Sequence, residues 1–142
     1  MSQIGTHAIG PYLTFNGNCE EAMRFYAQAL GVPLGELHRF ADAPADAGPS
    51  PGPDWGQKVM HANFTWHGQR LMASDGFPGQ PHAGFSGFAL SLNVSTEAEA
   101  EQCFAALSAQ GQVTMPLAAT FWARRFGMFT DRFGVPWMIN CE

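Results

Sequence analysis

At 142 residues the chain is long enough for one domain or for two small modules sharing a core, and with 46% hydrophobic and 13% aromatic residues it can bury a substantial interior despite a charged fraction of 13%. A net charge of −5, with seven lysines and arginines in all, leaves no basic patch to neutralise phosphates, so no nucleic-acid partner is expected. The three cysteines, Cys19, Cys103 and Cys141, are far apart and lack C-x-x-C spacing, which argues against a disulfide framework or a structural zinc site and for reduced thiols in a cytoplasmic protein; no apolar run approaches membrane-spanning length and no leader is read at the N-terminus.

In chain order, Ile9 to Asn16 carries the aromatic and β-branched residues of a first strand. Asn18 with Glu21 forms a capping-box pattern, and Ala22, Phe25, Tyr26, Ala29 and Leu30 follow at helical spacing until Gly31 and Pro33. Leu34 to Ala41 reads as a second strand. Asp42 to Gly56, rich in Pro, Ala, Gly and Asp, reads as a mobile surface loop with Trp55 as its one apolar anchor. Val59 to Trp66 and Arg70 to Ser74 make a hairpin turning at His67-Gly68, and Gly76 to Gly84 is another Gly/Pro-rich connection.

The same order then recurs. Phe88 to Val94 is strand-like, Thr96 with Glu99 repeats the capping box, Ala100, Cys103, Phe104 and Leu107 share a helical face, and Gly111 ends that helix. Val113 to Ala118 and a terminal hairpin, turning at Asp131-Arg132-Phe133-Gly134, complete the second half. A shift of 78 positions lays Asn18 on Thr96, Glu21 on Glu99, Ala22 on Ala100 and Tyr26 on Phe104. Later in each half the shift is 66, with Gly68 on Gly134 and Met72 on Met138, and the difference matches the extra loop of the first half. The expected fold is α+β: two tandem β-α-β-β-β modules in one domain spanning 1–142, the first about 8–76 with its loop at 42–56, the second about 85–142, forming curved sheets around a shared cleft.

Pro11-Tyr-Leu-Thr-Phe-Asn-Gly-Asn-Cys-Glu-Glu-Ala22, the Met72-Ala-Ser-Asp75 strand, Thr120-Phe-Trp-Ala123 and Thr130-Asp-Arg-Phe-Gly-Val-Pro-Trp-Met-Ile-Asn140 resemble the PhnB-like branch of the vicinal oxygen chelate superfamily, which includes glyoxalase I, bleomycin-resistance proteins and extradiol dioxygenases. The resemblance covers nearly the whole chain and implies the paired-module fold and a homodimer. Metal-dependent members of the superfamily carry His or Glu ligands at the starts of the first strands and within the last strands; aligned through helix and terminal glycine, those places fall on Pro11, Met72, Ala89 and Met138. None is a ligand for a hard metal ion. No cofactor is therefore expected, with a divalent metal held by other residues left open. Some members of the branch carry a ubiquinone-biosynthesis methyltransferase label, but no G-x-G-x-x-G follows a strand here.

By period-two alternation the residues sharing a face with those places are Leu13, Phe15, Ser74, Ser91, Asn93 and Asn140, an apolar lining with a few short polar groups. Ser74, Ser91, Asn140, Met72, Met138 and Trp122 are the candidate ligand-binding residues; simple core filling is the alternative. Trp122, with Arg124 and Arg125 after it, would close the mouth over an anionic group unless the arginines are merely exposed. His61 is a candidate base or ligand, and Cys19, at the first helical position where the dipole lowers a thiol pKa, a candidate nucleophile. A hydrogen-bonded structural His61 and an inert Cys19 are the competing readings. Asp75 and Asp131 read as turn formers.

The first functional reading is a protein that binds a small organic molecule in the cleft between the modules without the superfamily's metal set. Its rivals are a lyase- or isomerase-type enzyme with a metal held by residues such as His61, and a drug-sequestering protein of the bleomycin-resistance kind.

Overall fold

The structure is a computed structural model, and it describes residues 7–44, 52–79 and 82–142. The chain divides into two compact units, Met1–His82 and Ala83–Glu142. Residues 45–51 of the expected mobile loop at 42–56 lie outside the described residues.

In the first unit, β1 (Tyr12–Phe15), α1 (Cys19–Leu30), β2 (Leu37–Arg39), β3 (Val59–Trp66) and β4 (Gln69–Asp75) form a sheet ordered β1-β4-β3-β2. β1 runs parallel to β4, which the intervening helix makes possible, and the other neighbours are antiparallel. The β3–β4 hairpin turns through His67 (φ 48°) and Gly68 (φ 77°), two successive left-handed residues as a type I′ turn requires. Helix α1 lies on one face, over β3 and β4. Beneath it Leu13, Phe15, Met23, Tyr26, Phe64 and Ala73 are buried, the large ones each contributing roughly 2 kcal/mol of apolar burial. Leu13 and Phe15 therefore belong to this core, not to a ligand-lining face.

The start of α1 departs from expectation. Asn18 occupies the cap position but its side chain makes no cap hydrogen bond. The carboxylate of Asp75 supplies the cap instead: Oδ1 accepts from Gly17 N at 2.7 Å and Cys19 N at 3.0 Å, and Oδ2 from Val59 N at 2.9 Å. Asp75 is thus no turn former but a buried tie between β4, α1 and β3. The described end of the 42–56 tract is also tied down: Ala41 N donates to Gly56 O at 2.9 Å, and Trp55 Nε1 to Gly76 O at 2.8 Å.

The second unit repeats the plan with β5 (Leu90–Asn93), α2 (Glu97–Ser108), β6 (Gln112–Ala118), β7 (Arg125–Thr130) and β8 (Pro136–Cys141), ordered β5-β8-β7-β6. Here the capping residue works as read: Thr96 Oγ1 accepts from Glu99 N at 3.1 Å. The α2 chain leaves the helix at Ala109, with Gln110 left-handed (φ 62°), two residues before Gly111. Gly111 is required for another reason, since a Cβ there would meet the backbone of Thr130 and Asp131. Phe104 of α2 meets Phe129 edge-on at 5.1 Å, and Phe129 stacks on Trp137 at 6.3 Å. Asp131 does form the terminal turn, its Oδ1 accepting from Phe133 N and Val135 N while Oδ2 takes Trp137 Nε1 at 2.8 Å.

Candidate functional sites on the sheet faces opposite the helices

Each sheet has one face under its helix, and alternation sends every second residue to the other. In the first unit the register puts Tyr12 beside Met72 and Thr14 beside Ser74. It also puts Asn63 beside Met72, Thr65 beside Arg70 and His38 beside His61. Leu71, Ala73 and Asp75, the alternate residues of β4, are buried on the helix side. The face opposite the helix thus carries Arg70, Met72 and Ser74 on β4, Tyr12 and Thr14 on β1, and His61 and Asn63 on β3. Ser74 and Met72 take the face expected of them, and His61 and Asn63 join them. Pro11 precedes β1, and its place next to Met72 is taken by Tyr12.

His61 is held on both sides. Its Nε2 is 3.1 Å from Asn63 Nδ2 and its Nδ1 is 3.4 Å from the Tyr12 hydroxyl. The backbone decides the direction of these bonds. Glu36 N donates to Asn63 Oδ1 at 3.2 Å, so the other end of the amide, the Nδ2 donor, faces His61. His61 Nε2 is then the acceptor, the ring proton sits on Nδ1, and Nδ1–H is directed to the Tyr12 oxygen. The Tyr12 O–H is left to donate outward. Beyond Asn63, the Glu36 carboxylate lies 3.1 Å from His38 Nε2, and this hydrogen bond, ahead of those from its other neighbours, holds the Glu36 carboxyl below the usual carboxylate range.

On the second unit the corresponding face is richer in methionine. Register sets Met115 beside Met128, Met128 beside Met138 and Met138 beside Ser91, a row of three thioethers across β6, β7 and β8 ending on a serine of β5. Asn140 is beside Asn93, donating to its Oδ1 at 3.2 Å, and beside Phe126. Trp122, half exposed, rests on Phe126 at 5.3 Å and on Phe121 at 4.8 Å. Ser91, Met138, Asn140 and Trp122 therefore belong to one face. Ala89 falls before β5, and Ser91 takes the place next to Met138.

Two expectations are corrected. Arg124 and Arg125 are not free for an anion. Arg125 Nη2 pairs with Glu97 Oε1 at 2.9 Å, and Arg124 donates to Glu142 O at 2.7 Å and Ser95 O at 2.8 Å, so both tie β7 to the start of α2 and to the chain end. Cys19 is no activated nucleophile: it is fully buried, and burial first, then the Asp75 and Glu20 carboxylates, push its thiol pKa up despite the helix terminus.

Sequence reasoning missed Arg70. Every other basic side chain has a partner: Arg24 and Arg39 on Glu20, Lys58 on Gly17 O, Arg132 on Ala109 O, and Arg124 and Arg125 as above. Among the described residues Arg70 alone of the seven lysines and arginines has no hydrogen bond or ion pair, although it is half-buried. No sequence signal marks this, because it depends on where the acidic residues come to lie.

Among the described residues no three or more His, Cys, Asp or Glu side chains gather as a metal site, and no helix is long and apolar enough to cross a membrane. Neither the phenol beside Met72 in the first unit nor the serine hydroxyl beside Met138 in the second makes, with its thioether, a set for magnesium, zinc or iron(II).

The chain is similar to known proteins along nearly its whole length. The family described as 3-demethylubiquinone-9 3-methyltransferase matches residues 7–140. Protein YjdN of Escherichia coli is 39% identical over 138 residues, 93% of each chain. Protein PA1353 of Pseudomonas aeruginosa is 51% identical with a TM-score of 0.87, covering 96% of this chain and 98% of its own. A Bacillus cereus structure described as a putative 3-demethylubiquinone-9 3-methyltransferase, PhnB protein, is 28% identical with a TM-score of 0.77, covering 96% and 100%. A glyoxylase/bleomycin resistance protein/dioxygenase domain from Frankia, at 15% identity and a TM-score of 0.63, shares the fold. The chain belongs to the PhnB-like family described as 3-demethylubiquinone-9 3-methyltransferase, built on the α+β fold of the glyoxalase/bleomycin resistance/dioxygenase superfamily.

Proposed function

We propose that this PhnB-like protein binds a small, partly hydrophobic organic molecule on the sheet faces opposite its helices, without a metal ion, and does so as a cytoplasmic homodimer. The observation that carries this reading is the oriented Tyr12–His61–Asn63 chain on the first unit, a polar anchor among Met72, Thr14 and Ser74. Such sites combine apolar lining with a few placed polar groups. The dimer is supported by β6, an edge strand exposed along almost its whole length, which invites pairing.

The family description names methyl transfer, but no glycine-rich strand-to-helix turn in the sequence suits a nucleotide-like methyl donor, which argues against that activity. A metal-dependent lyase or isomerase built on His61 is disfavoured because both ring nitrogens are already engaged. The Met115, Met128 and Met138 row supports drug sequestration as a second reading, since thioethers adapt to varied apolar shapes.

A library of small organic molecules, screened by thermal shift and then by NMR of protein labelled at the methionine methyl groups, tests the reading. Hits are expected to raise the melting temperature and move Met72, Met115, Met128 or Met138, leaving the core Met23 unmoved. A library that moves none of these methyls at millimolar concentration contradicts it.

A further inference from the structure

We propose that the first unit's face is a site for a small carboxylate that also bears a carbonyl group, with Arg70 taking the carboxylate and the Tyr12 hydroxyl the carbonyl oxygen. The proposal rests on the binding function above and names its ligand class. Three observations carry it.

Arg70 is the one basic side chain without a partner among the described residues, half-buried on the strand that also presents Met72 and Ser74. A guanidinium removed in part from water and left unpaired costs free energy that a carboxylate, gripped as a fork, returns. The expected anion partners Arg124 and Arg125 are spent on Glu97 and on backbone carbonyls, so the charge available to a ligand lies on β4 instead.

Tyr12 is the second anchor. Its oxygen accepts from His61 Nδ1–H, and the tautomer is set by a backbone donor, Glu36 N, acting through the Asn63 amide. A hydroxyl whose oxygen already accepts one hydrogen bond is a better donor, because successive hydrogen bonds polarise one another. Its own proton is left to donate, and a carbonyl oxygen, which can only accept, suits it.

The third is spacing. Arg70 and Met72 are two apart on one face of a strand, about 6.6 Å, and Tyr12 is the direct neighbour of Met72. The two long side chains bracket Met72 and can converge on a carboxylate and carbonyl of one small molecule, whose apolar part then rests on the thioether.

The test uses phenylpyruvate, with phenylacetate lacking the keto group and phenylacetone lacking the carboxylate, titrated against methionine-methyl-labelled protein. Phenylpyruvate is expected to move the Met72 methyl saturably and to bind more tightly than either analogue. Arg70→Gln is expected to weaken phenylpyruvate about tenfold or more, the loss of a charged hydrogen-bonded partner, with Arg70→Lys intermediate. Tyr12→Phe is expected to bring phenylpyruvate down to the level of phenylacetate. An unmoved Met23 methyl certifies each variant's fold, and should Arg70→Gln not fold, Arg70→Lys and Tyr12→Phe decide. Wild-type affinity in either arginine variant, or an unmoved Met72 methyl, overturns the proposal. Shifts confined to Met115, Met128 and Met138 also overturn it while leaving the general binding reading in place, whereas no methyl shift with any library compound removes both.

Discussion

The carboxylate of Asp75, the last residue of β4, caps the first residue of α1, its Oδ1 accepting the Cys19 amide at 3.0 Å across 56 positions of sequence. Together with Gly17 N and Val59 N it satisfies three backbone donors in a buried setting. Asp75→Ala leaves those donors unpaired and is expected to cost about 3 kcal/mol of stability. Asp75→Asn should also destabilise, since its NH2 would confront Val59 N–H. Urea unfolding checks this, and a change within the error of the midpoint would show that the cap is dispensable.

Cys19, Cys103 and Cys141 are all buried free thiols. Burial raises the pKa of Cys19 and, with Glu99 adding to it, that of Cys103. The folded Cys19 and Cys103 thiols therefore stay protonated where unfolded ones ionise, so these two groups lower stability as pH rises past the ordinary thiol value of 9.0. The native protein is expected to be nearly inert to a thiol reagent such as DTNB at mildly alkaline pH and to react at all three cysteines once denatured. Rapid native labelling of Cys19 would restore it as a candidate nucleophile.

Glu20 is clasped by Arg39, whose Nη1 and Nη2 lie 2.9 and 3.1 Å from its two oxygens, with Arg24 at 3.0 Å. The Arg39 hydrogen bond above all lowers the Glu20 pKa from its ordinary 4.5. A depressed folded-state pKa means the stabilisation is present above the unfolded value and is lost as pH falls through the folded one. Because the Glu20 side chain is about one-third exposed, the cluster should contribute under about 1 kcal/mol and weaken with salt. Glu20→Gln is expected to flatten the acid limb of a stability-against-pH curve slightly below pH 4.5 and to leave neutral stability little changed. A steeper acid limb in the variant would contradict the assignment.

The repeated β-α-β-β-β order was legible because helix spacing, hairpin glycines and the matched Glu21 and Glu99 are local signals. The faces of the first strands were not. Phe15 stands three residues before the cap position Asn18, while Val94, its counterpart by sheet register, stands two before Thr96, so an alignment through the caps is one residue out in the strands. One residue in a strand exchanges its faces, which is why alignment through the caps puts Leu13 and Phe15 on the lining face although they are core. On β4 and β8, aligned through their own turns, the faces of Met72, Ser74, Met138 and Asn140 came out correctly. The Asp75 cap and the unpaired Arg70 are products of tertiary arrangement, and no local pattern announces either.

The most direct measurement is calorimetric titration of the protein with its best ligand from the screen, before and after exhaustive chelation, with metal content followed by elemental analysis. Affinity unchanged by chelation, in protein holding no stoichiometric divalent metal, is the expected result. Binding that disappears with the chelator, returns with nickel, zinc or iron(II), and is lost again in His61→Ala would contradict metal-free recognition.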